Sequence, residues 1–177
     1  MDFSPLVIYF FVVSCMCFLY SCKDENYTTV IMEGFYNSKK AVQVSSTSTI
    51  YENMARQPEL ADELINRTCV LAGYKDFMHL LPFESREEER QVGMARGECL
   101  SAFMTSVARQ PDMYEKLDST AIIFLGTAET LSSMSVLLDY SCYNAIAGYN
   151  EALTRQPEIK DTLDIICRKF LGVVLEK

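Results

Sequence analysis

The string Arg-Gln-Pro occurs three times in this chain, each time in the same setting. Arg56-Gln57-Pro58, Arg109-Gln110-Pro111 and Arg155-Gln156-Pro157 each follow a small residue and precede an acid and an apolar residue. A second acid stands six positions after each Arg and a Leu eight positions after it, while an aromatic (Tyr51, Phe103, Tyr149) precedes each Arg by five or six. The spacings are 53 residues (56 to 109) and 46 (109 to 155). Three occurrences of so specific a pattern point to internal duplication.

The string has a physical meaning. Arg suits the last turn of a helix, where its charge meets the negative end of the dipole. A residue before proline is pushed out of the α region, so Gln ends the helix. Pro suits the first position of the next helix, where no N–H is needed, and the following acid faces that helix's positive end. Arg56/Pro58, Arg109/Pro111 and Arg155/Pro157 are therefore read as helix corners. The competing reading is a binding surface of three arginines.

Apolar stripes at 3/4 spacing flank the corners. One is Ile159, Leu163, Ile166, Cys167, Phe170, Leu171 and Val174; another is Leu138, Cys142, Ile146, Tyr149 and Leu153. Ser85-Arg86-Glu87-Glu88 reads as a capping box, and Gly126 can close the helix that opens at Pro111. Helices are predicted near 50–56, 58–80, 86–109, 111–125, 128–155 and 157–175. Residues 23–49 are polar, with Ser-Ser-Thr-Ser-Thr at 45–49, and read as a loosely ordered arm. The expected fold is all-α: a disulfide-stapled bundle of antiparallel helical hairpins built from an internal repeat, spanning 50–177.

Residues 5–22 form an uncharged, mostly apolar run followed by Lys-Asp-Glu. Its length lies between a signal core and a membrane span, nearer the former. Residues 1–22 are read as a cleaved signal peptide, cut after Ser21 or Cys22. An uncleaved membrane anchor or a lipoprotein at Cys22 are the alternatives, and sequencing the mature amino terminus separates the three. Export means an oxidising compartment, and the sequons at Asn26 and Asn66 fit a secretory route.

With Cys15, Cys17 and Cys22 in or beside the signal, four cysteines remain. In an antiparallel hairpin, residues equidistant from the corner face each other. Cys142 and Cys167 flank the third corner, and Cys69 and Cys99 flank the Pro82–Ser85 connection. The expected pairs are Cys69–Cys99 and Cys142–Cys167, each contributing roughly 3–4 kcal/mol in the chain-entropy model. Buried free thiols are the alternative.

The chain of 177 residues carries a net charge of −8 with pI near 4.7, which disfavours nucleic-acid binding. No glycine-rich phosphate loop or Cys-x-x-Cys pair occurs in the mature chain. The single histidine, His79, in Phe-Met-His-Leu-Leu, reads as a packing or helix-end residue. Asp62/Glu63 and Glu87–Glu89 read as solvated faces and dipole partners. No catalytic, cofactor or metal-ligating set is expected. The functional expectation is a secreted, non-catalytic helical module that binds a protein. The alternative is an extracellular carrier of a small, lipid-like ligand among its Met and aromatic side chains. Neither reading involves nucleic acid, nor a membrane once the signal is removed.

Overall fold

The computed structural model describes residues 36–175; the apolar leader with its three cysteines, and Asn26, lie outside them. Among the described residues the chain is all-helical. Seven α-helices follow one another: α1 Lys39–Ser45, α2 Ser48–Arg56, α3 Ala61–Ala72, α4 Arg86–Arg109, α5 Tyr114–Leu125, α6 Ser135–Arg155 and α7 Lys160–Leu171. None is long and apolar enough to cross a membrane.

The three Arg-Gln-Pro strings sit at three helix breaks of one geometry. Gln57, Gln110 and Gln156 have φ/ψ of −137/70, −141/76 and −140/85. Each Gln still donates its N–H to the helix behind it, to Asn53, Ser106 and Ala152 carbonyls at 2.9, 3.0 and 2.9 Å. Each Pro then opens a single 3₁₀ turn, accepted by the Gln carbonyl. A helix of 12 residues follows in all three cases. All three end on a glycine at positive φ, Gly73 (68°), Gly126 (63°) and Gly172 (76°), a conformation that other residues reach only at a cost.

Several boundaries differ from the sequence reading. The helix predicted over 58–80 stops at Ala72, because Gly73 turns left-handed, and a short 3₁₀ turn at Phe77–Leu80 follows. Gly172 likewise stops the helix predicted to reach 175, and α6 begins at Ser135 rather than 128. The expected arm is in part core: α1 begins at Lys39, capped by the Ser38 hydroxyl, and buries Ala41, Val42, Val44 and Ser45. The serine and threonine run misled because Thr47 is itself fully buried, its hydroxyl donating to the Val44 carbonyl at 2.7 Å.

α4 is the central rod. Ser85 caps it by accepting from the Glu88 N–H at 3.0 Å, and the Glu88 carboxylate reaches back to the Glu84 N–H at 2.8 Å. α1 and α2 lie along one side and run parallel to it: Ser38 meets Gln91, Thr47 meets Cys99, and the Tyr51 and Phe103 rings are 5.7 Å apart. α6 lies along another side, also parallel, with residue 93 beside 137, 97 beside 141 and 101 beside 148. That contact is backbone-close. A Cβ on Gly93 would sit 2.6 Å from the Leu137 carbonyl oxygen, one on Gly97 2.6 Å from that of Ser141, and one on Gly148 2.6 Å from that of Ser101. Ser141 and Asn144 then donate to the carbonyls of Gly93 and Met94 at 3.1 and 3.0 Å.

Across the corners, contacts join residues about equally far from the break: Gln43 with Gly73, Arg96 with Leu125, Tyr149 with Asp164. Arg96 is the pivot. It is fully buried, and its Nε donates to the Leu125 carbonyl at 2.7 Å while Nη2 donates to Gly126 (3.0 Å) and Phe170 (2.6 Å). The guanidinium therefore closes the carboxyl ends of α5 and α7 together, where dipoles and unpaired carbonyls favour a cation. Burial lowers its pKa to about 10, so it stays charged at neutral pH.

The expected disulfides are not formed; Cys69, Cys99, Cys142 and Cys167 are free thiols. Equidistance from a corner does not fix which way a side chain points. Cys99 turns toward α1 and α2, lying 3.2 Å from the Val44 carbonyl and 3.4 Å from the Thr47 hydroxyl. Cys167 turns toward α4, its sulfur 4.0 Å from that of Met104. Burial pushes both thiols up to about 12, which keeps them protonated and unreactive. Alkylation of the folded chain should therefore label Cys69 and Cys142, which are half-buried, and spare Cys99 and Cys167. Unfolding without reductant should release all four; a disulfide-linked peptide in that map would contradict the free-thiol arrangement.

Candidate functional site

The third corner and the two helices it joins frame an open groove of about 420 Å³, lined by Tyr149, Leu153, Lys160, Asp164, Arg168, Val174 and Leu175. α6 supplies Tyr149 and Leu153, and α7 supplies Lys160, Asp164 and Arg168 at four-residue spacing, which stacks them on one helix face. After Gly172 the chain leaves the helix, and Val174 and Leu175 form the remaining wall.

Asp164 organises the polar side. Tyr149 donates to its Oδ1 at 2.8 Å, and the Lys160 ammonium donates to Oδ2 at 2.6 Å. Lys160 holds the carboxyl below the usual carboxylate range, assisted by Tyr149 and by the charge of Arg168. Burial raises the Tyr149 hydroxyl to about 12, and its bond to Asp164 adds to the shift. At neutral pH the Tyr therefore keeps its proton and donates, and the Asp accepts as an anion. The groove sets an apolar wall, Leu153, Val174 and Leu175, beside the charge cluster of Lys160, Asp164 and Arg168.

Along the same helix, Tyr140, Tyr143 and Ile146 face outward, with Tyr143 74% exposed. This is the largest aromatic exposure among the described residues; Tyr140, nearer the start of α6, carries the Arg90 guanidinium over its ring at 5.4 Å.

The other sequence-singled residues lie elsewhere. Arg56 and Arg155 fold back onto Glu52 and Glu151 of their own helices at 3.3 and 3.0 Å, which neutralises two members of the alternative three-arginine surface; Arg109 is exposed. Asn66 is exposed in the middle of α3. His79 is also exposed, its Nδ1 2.8 Å from Asp76 in the 3₁₀ turn. Asp62 pairs with Lys116 and Glu63 with Arg67. Among the described residues, no cluster of three His, Cys, Asp or Glu is placed to hold a metal. The sequence reading missed Lys160, Asp164, Arg168 and Arg96; the four-residue spacing of the first three was the available signal.

No family model, no curated protein and no solved structure matches this chain.

Proposed function

We propose that this is an exported, non-catalytic helical module that binds another protein, built from three copies of one helix–corner–helix hairpin. Support for the copies comes from the shared corner dihedrals and from the constant step of seventeen residues between corner Arg and closing Gly (56 to 73, 109 to 126, 155 to 172). Support for export comes from the apolar segment at 5–22 and the exposed sequon asparagine at 66. The observation that carries the binding reading is the outer side of α6, where Tyr143 is 74% exposed and Ile146, one turn on, is exposed with it. Contiguous exposed apolar surface of this kind marks interaction sites, and tyrosine is the residue type such sites favour. A rigid helical face also loses little conformational freedom on binding.

A photo-crosslinking residue placed at Tyr143 should give one discrete protein adduct from the extracellular fluid of the producing cells, and the same residue at exposed Thr49 should give none. The groove's volume lies in the range of small-molecule sites, so the carrier reading uses the same surface. A lipid-sized mass on the purified protein in native mass spectrometry, with no adduct at Tyr143, would select the carrier.

A further inference from the structure

We propose that the partner protein seats an arginine on the outer side of α6, its guanidinium over the Tyr143 ring and in ion pair with the Asp139 carboxylate. The inference rests on the binding-module reading and names the chemistry of the partner's contact group.

Asp139 and Tyr143 stand four residues apart on α6, which puts them on one face with Cβ atoms about 5–6 Å apart. A helical side chain leans toward the amino end of its helix, so the Tyr143 ring tilts over the turn that carries Asp139. Both residues are exposed, and among the described residues no ion pair reaches Asp139. The basic side chains close by in sequence or across the helix contact are engaged elsewhere. Arg155 of α6 holds Glu151 at 3.0 Å, and Arg90 of α4 holds Glu87. An open aromatic face beside an unpaired carboxylate attracts a cation twice over, through the ring quadrupole and through the carboxylate oxygens.

The molecule already contains the complete form of this contact. At Tyr140, on the same helix, the Arg90 guanidinium lies 5.4 Å from the ring centroid. Both oxygens of Glu87 hold that guanidinium, accepting from Nε at 2.8 Å and Nη2 at 2.5 Å. One arginine thus meets a ring and an acid together. At Tyr143 the ring and the acid both come from α6, and the cation is the part the partner supplies. A lysine is a compact point charge, whereas a planar guanidinium stacks on a ring and keeps its edge N–H groups for a carboxylate. Ile146 and Ala147, exposed one turn on, give the arginine's alkyl stem an apolar bed. The chain's net charge of −8 favours a basic contact group. On α4 a further exposed acid, Glu98, follows Gly97, which abuts Ser141 and Asn144. A second copy docked through this side would bring one acidic face against another, because a two-fold interface sets a patch against itself.

The test uses the full mature chain with a photo-crosslinking residue at Ala147, incubated in the extracellular fluid of the producing cells. The adduct should persist with Tyr143→Phe, which keeps the ring, and fall at least tenfold with Tyr143→Leu and with Asp139→Lys. Capping the arginines of the fluid with phenylglyoxal should abolish it, while methylating the lysines should leave it. Sequencing the crosslinked peptide should then place an arginine in the partner's contact segment. Replacing that arginine by alanine in the purified partner should weaken binding at least tenfold, and by lysine less. Protection of Cys99 from alkylation certifies the fold of each variant. The partner variant reads the same contact from the other side if a variant of this chain, or the capped partner, does not fold. An adduct indifferent to Tyr143→Leu and Asp139→Lys, or to loss of the partner's arginine, overturns the proposal. So does an adduct made of two copies of this chain. Either result beside a protein adduct sinks the arginine inference alone; no adduct from Ala147 or Tyr143 sinks the module reading and this inference with it.

Discussion

Arg96→Ala should unfold this protein more readily than any other single truncation of a polar side chain, costing about 4 kcal/mol in chemical denaturation. Each bond from a charged donor contributes on the order of 1.5–3 kcal/mol when its loss leaves a buried acceptor unpaired, and Arg96 makes three such bonds. The carbonyls it serves end two different helices, so no neighbouring N–H can substitute. Arg96→Met keeps much of the volume and should recover only part of the loss, since the carbonyls stay unpaired. Arg96→Lys should fall between, because an ammonium lacks the planar fork that reaches Leu125 and Phe170 together. A loss under 1 kcal/mol for Arg96→Ala would show that the guanidinium is incidental to the packing.

Gly148→Ala should destabilise by about 2–3 kcal/mol, against the sign that helix propensity gives. Alanine in a helix interior is favoured over glycine by up to about 1 kcal/mol. Here the new methyl would meet Ser101, including its carbonyl oxygen at 2.6 Å, and backbone cannot rotate aside as a long side chain can. Forcing extra volume into a packed contact costs about 1–3 kcal/mol or more, and separating α4 from α6 would also stretch the Ser141 and Asn144 bonds. Gly97→Ala meets the Ser141 carbonyl oxygen and Asn144 in the same way. Thermal unfolding of the two variants decides the matter: a raised Tm for either would mean that the helices are not in backbone contact.

The all-helical class was legible in the sequence because apolar residues recur at 3/4 spacing, and the three breaks coincide with strings whose local chemistry opposes helix continuation. These are effects of a residue on its immediate neighbours. What depends on rotation about a helix axis was not legible. Cys99 and Cys167 stand at hairpin-like levels, yet each points toward an earlier helix, so the level gave no pairing. Gly73 and Gly172 carried the same information as Gly126, but without a proline or a cap residue directly after them they passed as interior glycines. Arg96 looks like a solvent-facing residue between Ala95 and Gly97; only the meeting of α5 and α7 ends at its tip makes it a core residue. The polar stretch 39–49 buries side chains because its small hydroxyl residues satisfy themselves on nearby carbonyls, which composition alone does not register.

The carbonyls gathered by Arg96 bear on how such a protein can change over time. Stacks of similar hairpins ordinarily gain or lose members with little penalty, since each touches only its neighbours. Here a side chain of α4 closes the ends of both α5 and α7, so deleting residues 127–175 would strip a buried cation of one acceptor and open its surroundings to water. The length of the helical stack is thereby tied to one side chain, and losing α7 is not open to this chain without first replacing that arginine.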